Sequence, residues 1–295
     1  MSALPQPERP ARPDGLPRHV TVLGAGIVGT SAAAYLRRAG FEVTLVDREA
    51  PGAATSFGNA GSVSPTAVLP VAMPGMWRRV PGWLADPLGP LTLRWGYLPQ
   101  ALPWLLRFLS HARPDEVERV AAAMRALMAP VFEDYAAILP ADAYHRLIRR
   151  NGCLYVYENR AEREAAGWTL DLRRRLGAVM EEIGGDEMRQ LEPALNRRFA
   201  HGIFAPDNGS TIDPHALVTA IADAFTAAGG TFLRAEVRDI EIGPEGPRRL
   251  VTDRGALPVD GLVLAMGAWS APWARRLGAR VPLETQRGYH MTFAD

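Results

Sequence analysis

The sequence contains no lysine; all 33 of its basic side chains are arginine. Arginine grips carboxylates and phosphates bidentately. Here it is spread evenly along the chain, which fits a codon-composition bias better than a ligand-binding patch. The 32 acidic residues leave a net charge of +1, so there is no electrostatic footprint for a nucleic-acid partner. Cysteine is nearly absent as well. Cys153 stands alone, which excludes disulfides within the chain and cysteine-based metal sites, and no metal site is expected. It lies in the alternating run 151–157, away from any helix N-terminus that would activate it, so neither a nucleophile nor a covalent anchor is expected there. No apolar run approaches the length of a membrane span. Residues 1–18 are rich in Pro, Arg and Ala without an apolar core, and they read as a disordered leader rather than a signal peptide.

What is present is an ordinary globular balance, 47% hydrophobic and 22% charged over 295 residues. That suffices for one large domain or two intertwined ones with a sizeable core. The first ordered stretch alternates structure types within a short span. His19–Leu23 reads as a strand, Gly24–Gly29 as a glycine turn, Thr30–Ala39 as a helix closed by Gly40, and Phe41–Val46 as a second strand ending at Asp47. Such a βαβ unit requires parallel strands and a right-handed crossover.

Gly24, Gly26 and Gly29 form a G-x-G-x-x-G pattern, filled in by Ala25, Ile27 and Val28. Alone the pattern is weak, but a strand precedes it, a helix follows, and an acid ends the next strand 18 residues beyond Gly29. Gly24 suits the tight turn. Gly26 lets the backbone approach a pyrophosphate held at the helix N-terminus, and Gly29 lets helix and strand pack closely. Asp47 is placed to accept hydrogen bonds from a ribose. The pattern does not choose between NAD, NADP and FAD. Arg48 could meet a 2′-phosphate or lie along the adenine. The loop Thr55-Ser56-Phe57-Gly58-Asn59-Ala60-Gly61 favours FAD, because its small residues and backbone donors can follow a pyrophosphate and approach a flat ring.

Downstream, Asp115–Leu139 has an amphipathic helical period that Pro130 should kink or split. Gly152–Tyr157 reads as a strand. Glu162–Leu176 reads as a polar helix whose Arg173, Arg174 and Arg175 form a solvated face. Asp213 and Pro214 suit the N-cap and first turn of a helix that Gly229-Gly230 ends. Strands are expected over Thr231–Ile240, Arg248–Thr252 and Val259–Ala265, the last leading into Met266-Gly267-Ala268. Val281–Phe293 reads as a new extended segment.

Val20–Asp47, Thr55–Gly61 and Ala265–Ser270, in that order, resemble the glycine-oxidase/D-amino-acid-oxidase superfamily of flavoproteins. The loop 55–61, the Trp- and Pro-rich stretch after it, Gln190–Leu195 and Gly288-Tyr289 are most similar to bacterial D-amino-acid dehydrogenases. The resemblance implies an α/β fold: a discontinuous Rossmann-type FAD-binding domain carrying an inserted α+β substrate domain. On that pattern residues 19–67 and 200–280 form the FAD-binding domain, and 68–199 with 281–295 the substrate domain. It implies noncovalent FAD, held by Gly24, Ala25, Gly26, Ile27, Val28, Gly29, Asp47, Arg48, Ser56, Asn59, Ala60 and Gly61. Val237 would offer its backbone to the adenine, and Gly267 would belong to the turn that returns to the dinucleotide, where Met266 replaces the usual Thr.

The activity implied is oxidative deamination of a D-amino acid to a 2-oxo acid and ammonia, by hydride transfer to flavin. The alternatives are another flavin amine oxidase, acting on glycine, sarcosine or hydroxyproline, and an inactive FAD-binding fragment. Related enzymes continue beyond residue 295, so the chain is expected to be incomplete at its C-terminus, with the substrate-anchoring arginine in the part not included. No catalytic residue follows with certainty; Tyr289 and His290 are the substrate-side candidates, and alternation along a strand lets at most one face the flavin directly. The implied electron acceptor is a quinone or respiratory chain, and the implied location is the cytoplasm with peripheral contact on the inner face of the membrane. Trp77, Trp83, Trp95 and Trp104 bear on that contact. Tryptophan is highly buried on average, so core packing is the expectation for them; with Arg78, Arg79, Arg94 and Arg107 interleaved, a headgroup-level surface is the alternative.

Overall fold

The computed structural model describes residues 15–87, 91–92, 94–283, 285 and 287–289. Residues 1–14 of the expected leader, His290 and the end of the segment 281–293 lie outside the described residues. The chain divides into two compact units. One comprises the chain up to Gly61, Phe132–Arg149 and the chain from Thr211; the other comprises Ser62–Val131 and Arg150–Ser210.

The first unit is built on a four-stranded parallel sheet. Its order is Gly261–Leu264, then β1 (His19–Leu23), then β2 (Glu42–Asp47), then Thr231–Arg234. Val20, Thr21, Val22 and Leu23 are all buried, as are Val43, Leu45 and Val46. Strands covered on both faces carry such near-continuous apolar runs. Between β1 and β2 runs helix α1 (Ile27–Arg38), which starts three residues earlier than the sequence suggests. It is made of small residues where it meets its neighbours; Gly29, Thr30, Ala33 and Ala34 are its buried positions. Helix Pro214–Ala227 packs beside it, with Asp213 Oδ1 accepting from the Ala216 N–H at 2.9 Å and Pro214 in the first turn. The segment Phe132–Arg149 also belongs to this unit, and the Tyr35 hydroxyl donates to the Asp134 carbonyl at 2.9 Å.

The expected strand Thr231–Ile240 is two strands in two sheets. Thr231–Arg234 ends the parallel sheet, and Val237–Gly243 begins an antiparallel meander with Gly246–Thr252 and Gly255–Pro258. The last ladder bond of the parallel pair and the next N–H go to different partners. The Ala235 N–H is taken by the Asp47 carbonyl at 2.8 Å, while the Glu236 N–H turns to the Asp253 carboxylate at 2.8 Å. Ile240, Leu250 and Val259 form the meander's core. In the segment after Val281, the described residues are assigned to no strand.

The second unit holds a three-stranded antiparallel sheet, with His201–Ala205 between Cys153–Tyr157 and Glu181–Gly184. Leu170, Ala178, Met180, Ile203 and Ala205 form one core, and Val68, Val117, Ala121 and Leu172 another. The amphipathic stretch after Pro114 is split at Ala129-Pro130 into helices Pro114–Met128 and Val131–Ile138, as the missing proline N–H demands. The polar helix expected over 162–176 is also two pieces, Arg160–Ala165 and Gly167–Arg175.

Two expectations are corrected in this unit. The arginine run 173–175 is not simply a solvated face. The Arg173 guanidinium lies 5.3 Å from the Tyr155 ring centroid and donates to the Thr66 carbonyl, Arg174 donates to the Met180 carbonyl, and Arg175 pairs with Glu118 at 2.7 Å. The tryptophans are not core residues either. Trp77, Trp95 and Trp104 are 60%, 71% and 61% exposed, and Trp83 is half-buried. Helices Met76–Ala85 and Leu98–Ser110 contain no buried residue. Among the described residues no helix is long and apolar enough to cross a membrane.

Candidate dinucleotide site

The carboxyl ends of β1, β2 and Gly261–Leu264 converge on the glycine turn. Gly24 has φ +108°, and a Cβ there would come within 2.5 Å of the Ala265 carbonyl oxygen. The turn thus needs glycine both for its backbone conformation and for its approach to the loop at 265–266. Gly29 is demanded by packing alone, since a Cβ would lie 1.7 Å from the Gly24 carbonyl oxygen. Gly26, at the helix N-cap, is different: the nearest atom to an added Cβ is the Ser56 hydroxyl at 3.1 Å, the movable end of a side chain. The face of Gly26 is therefore open to an approaching group.

That group would meet a positive helix end. The first N–H groups of a helix have no intrahelical acceptors, and the aligned peptide dipoles favour an anion there. No acidic residue sits in the first turn of α1 to compete. Ser56 Oγ accepts from the Ile27 N–H at 3.0 Å, which docks the loop 55–61 on that first turn. Asn59 is turned into its own loop, where Oδ1 accepts from the Gly61 N–H at 2.8 Å. Ala25 is buried, whereas Val28 and Ala60 are exposed.

Asp47 is held by two backbone donors. Oδ2 accepts from the Ala25 N–H at 2.7 Å and Oδ1 from the Glu49 N–H at 2.9 Å. Each oxygen keeps a further lone pair, so a fixed carboxylate can still accept from the hydroxyls of a ribose. Beside it, the partly buried Val237, Leu264 and Met266 pack on Leu23, Val46 and Ala235, an apolar surface at the strand ends. Gly267, at φ +53°, has open space where a side chain would be. A cavity of about 380 Å³ opens alongside, lined by Arg48, Glu49, Arg234, Ala235, Glu236, Asp253 and Arg254. An anion-receptive helix end, a ribose-ready carboxylate and an apolar surface in this order fit the pyrophosphate, ribose and base of a dinucleotide.

Comparison with known proteins identifies the group. Residues 19–295 match the DAO family, described as FAD dependent oxidoreductase. The chain belongs to this FAD-dependent oxidoreductase family. A D-amino-acid oxidase of Bradyrhizobium diazoefficiens is 39% identical over 283 residues, covering 95% of this chain and 66% of that protein. A D-amino acid dehydrogenase of Paramagnetospirillum magneticum is 36% identical over 287 residues, covering 92% and 66%. The chain thus spans about two thirds of the length of the curated relatives it matches. Among solved structures, L-amino acid deaminase of Proteus vulgaris superposes with TM-score 0.62 at 20% identity, over 92% of this chain and 60% of that one. Glycine oxidase of Bacillus cereus gives 0.57 at 20% identity, over 88% and 58%. These likenesses establish the oxidoreductase fold.

Arg48 has two neighbours that its place in the sequence does not reveal, Arg234 and Trp269. Arg234 Nε donates to the Arg48 carbonyl at 3.1 Å, and its Nη2 reaches Glu49 Oε2 at 3.0 Å. The Arg48 guanidinium lies 5.4 Å from the centroid of the Trp269 ring. Only the position of Trp269, two residues after the Gly267 turn, could have signalled it. Tyr289 is 87% exposed, and His290 lies outside the described residues.

Proposed function

We propose that this protein takes part in FAD-dependent oxidative deamination of D-amino acids to 2-oxo acids and ammonia. The observation that carries the reading is the 39% identity to a D-amino-acid oxidase over 95% of the chain, running through the dinucleotide site. The cofactor is noncovalent FAD. Bound FAD supplies a two-electron acceptor for the hydride leaving the substrate Cα, after which water hydrolyses the imino acid. The chain's own part is to hold and orient that acceptor. The α1 N-terminus, with the open face of Gly26, would hold the pyrophosphate and Asp47 the ribose; Ser56 keeps the loop 55–61 against the helix; Val237 would offer its backbone to the adenine, and Gly267 would belong to the turn that returns to the dinucleotide.

The test is anaerobic. Protein carrying FAD should lose its flavin absorbance on addition of D-alanine and keep it with L-alanine. Bleaching by glycine or sarcosine alone would overturn the D-amino-acid assignment in favour of another flavin amine oxidase. Absence of any flavin binding would overturn the cofactor assignment itself.

The electron acceptor in this reading is a quinone or respiratory chain, with the protein resting on the inner, cytoplasmic face of the membrane. The support is the surface of Met76–Ser110. Trp77, Trp95, Tyr97 and Trp104 are exposed there, with Leu102 and Leu106, and Arg78, Arg79, Arg94 and Arg107 lie among them. Indole rings and arginines together suit the headgroup level of an anionic bilayer. Co-sedimentation with phosphatidylglycerol vesicles, reduced by W77A/W104A, is the expected result. Equal sedimentation with and without vesicles would remove this part of the reading.

A further inference from the structure

The stretch Gly52–Phe57 is held near both ends and exposed between them. Gly52 is buried, and its N–H donates to the Ala25 carbonyl at 2.9 Å. Ser56 Oγ accepts from the Ile27 N–H. Ala53, Ala54 and Thr55, between these two anchors, are exposed. One side chain from far along the chain reaches both ends. His215 lies in the first turn of the helix Pro214–Ala227, with its ring centroid 5.0 Å from that of Phe57 and the planes tilted by 48°. A Cβ at Gly52 would come within 3.1 Å of His215 Cδ2, so the imidazole also fits against the start of the stretch. Among the described residues the His215 ring nitrogens have no hydrogen-bond partner, so the ring acts by packing. Phe57 is 55% exposed, so this contact holds the stretch in place more than it fills a core. The stretch also borders the anion-receptive end of α1. The Ser56 hydroxyl is the atom nearest to an added Cβ at Gly26, so a group seated at Gly26 has Ser56 beside its way out.

We propose that the contact between His215 and Phe57 is a latch that keeps Gly52–Phe57, and with it Ser56, beside the bound pyrophosphate and so sets how fast FAD leaves; this rests on the FAD reading given above. The separation of the two rings lies in the attractive range for tilted aromatic pairs. Breaking the pair frees the exposed middle of the stretch, and Ser56 is then held to α1 by its own hydrogen bond alone. Such a contact acts on release more than on arrival, because the stretch must open before a seated ligand escapes. His215 acts only through the stretch, so it is a positioning residue.

The experiment uses the full chain. Flavin fluorescence after rapid dilution of the FAD-loaded protein reads the dissociation rate, and mixing FAD with the FAD-free protein reads the association rate. H215A and F57A are each expected to speed dissociation about 5-fold, the worth of one aromatic pair, and to leave association within about 2-fold. The double variant should be no faster than either single one, because both remove the same contact. H215F, which keeps a ring, should restore slow dissociation, and H215Q, which keeps polarity without the ring, should not. Thermal midpoints of the FAD-free variants should stay close to wild type, and F57A, at an exposed position, keeps the test readable if H215A folds poorly. A wild-type dissociation rate in F57A, an H215F variant as fast as H215A, or a double variant about 25-fold faster, as two independent losses would give, would overturn the latch while leaving the FAD reading intact. A wild-type chain that binds no FAD would overturn both.

Discussion

The hydroxyl of Ser56 accepts a hydrogen bond from the backbone N–H of Ile27 at 3.0 Å, joining a loop to a helix start 29 residues earlier. It is the side-chain cap that the helix lacks at Gly26 itself. Replacing Ser56 by alanine should cost about 0.5–2 kcal/mol, the usual worth of such a cap. Urea denaturation reads the stability, and FAD affinity should fall with it because the loop 55–61 is released. Unchanged values for both would show that the contact carries neither role.

The glycines of the turn should separate fold from ligand. Gly29→Ala forces a methyl into the Gly24 carbonyl, so G29A is expected to lower stability by about 1–3 kcal/mol, the range for overpacking. Gly26→Val meets only the Ser56 hydroxyl. G26V should fold with a near-normal thermal midpoint and bind no FAD, because its side chain occupies the pyrophosphate approach. A G26V protein that retains flavin through gel filtration would contradict this.

Asp47 holds two backbone N–H groups with its two oxygens. An amide has a single oxygen, so Asp47→Asn leaves one donor without its partner, a loss of about 1–3 kcal/mol. D47N should be less stable and should bind FAD roughly 10-fold or more weakly, since each 1.4 kcal/mol of lost interaction is a factor of ten. Wild-type affinity in D47N would remove Asp47 from the ribose site.

Tyr35 ties α1 to the helix Val131–Ile138 through the Asp134 carbonyl. Burial first, and then the Asp134 carboxylate, push its phenol above the ordinary value of 10. A raised phenol pKa means that the folded state favours the neutral hydroxyl. The contribution to stability is therefore fully present below pH 10 and is lost as pH rises above it. Y35F should be less stable than wild type by at most about 1 kcal/mol near neutrality, the worth of one hydrogen bond. The gap should narrow in denaturation curves taken at increasing pH above 10. A gap that stays constant across that range would show that the tyrosine does not titrate against this contact.

The first βαβ unit was legible in the sequence because its causes are local. Backbone sterics select glycine at position 24, short apolar runs select the strands, and Asp47 is the last residue of β2. The split at Pro130 and the helix start at Asp213-Pro214 are local too, set by a missing N–H and a capping carboxylate. Tertiary structure alone decided where Thr231–Ile240 breaks: the Ala235 N–H makes the last bond of the parallel ladder, to the Asp47 carbonyl 188 residues away, and the next N–H, of Glu236, goes to the Asp253 carboxylate. It alone placed Arg234 against the Arg48 carbonyl, 186 residues away, and the Arg48 guanidinium over the Trp269 ring. It also left Trp77, Trp95 and Trp104 on the surface, although tryptophan is highly buried on average. Local sterics act over a few residues, whereas these pairings depend on the path of the whole chain, which no window of sequence contains.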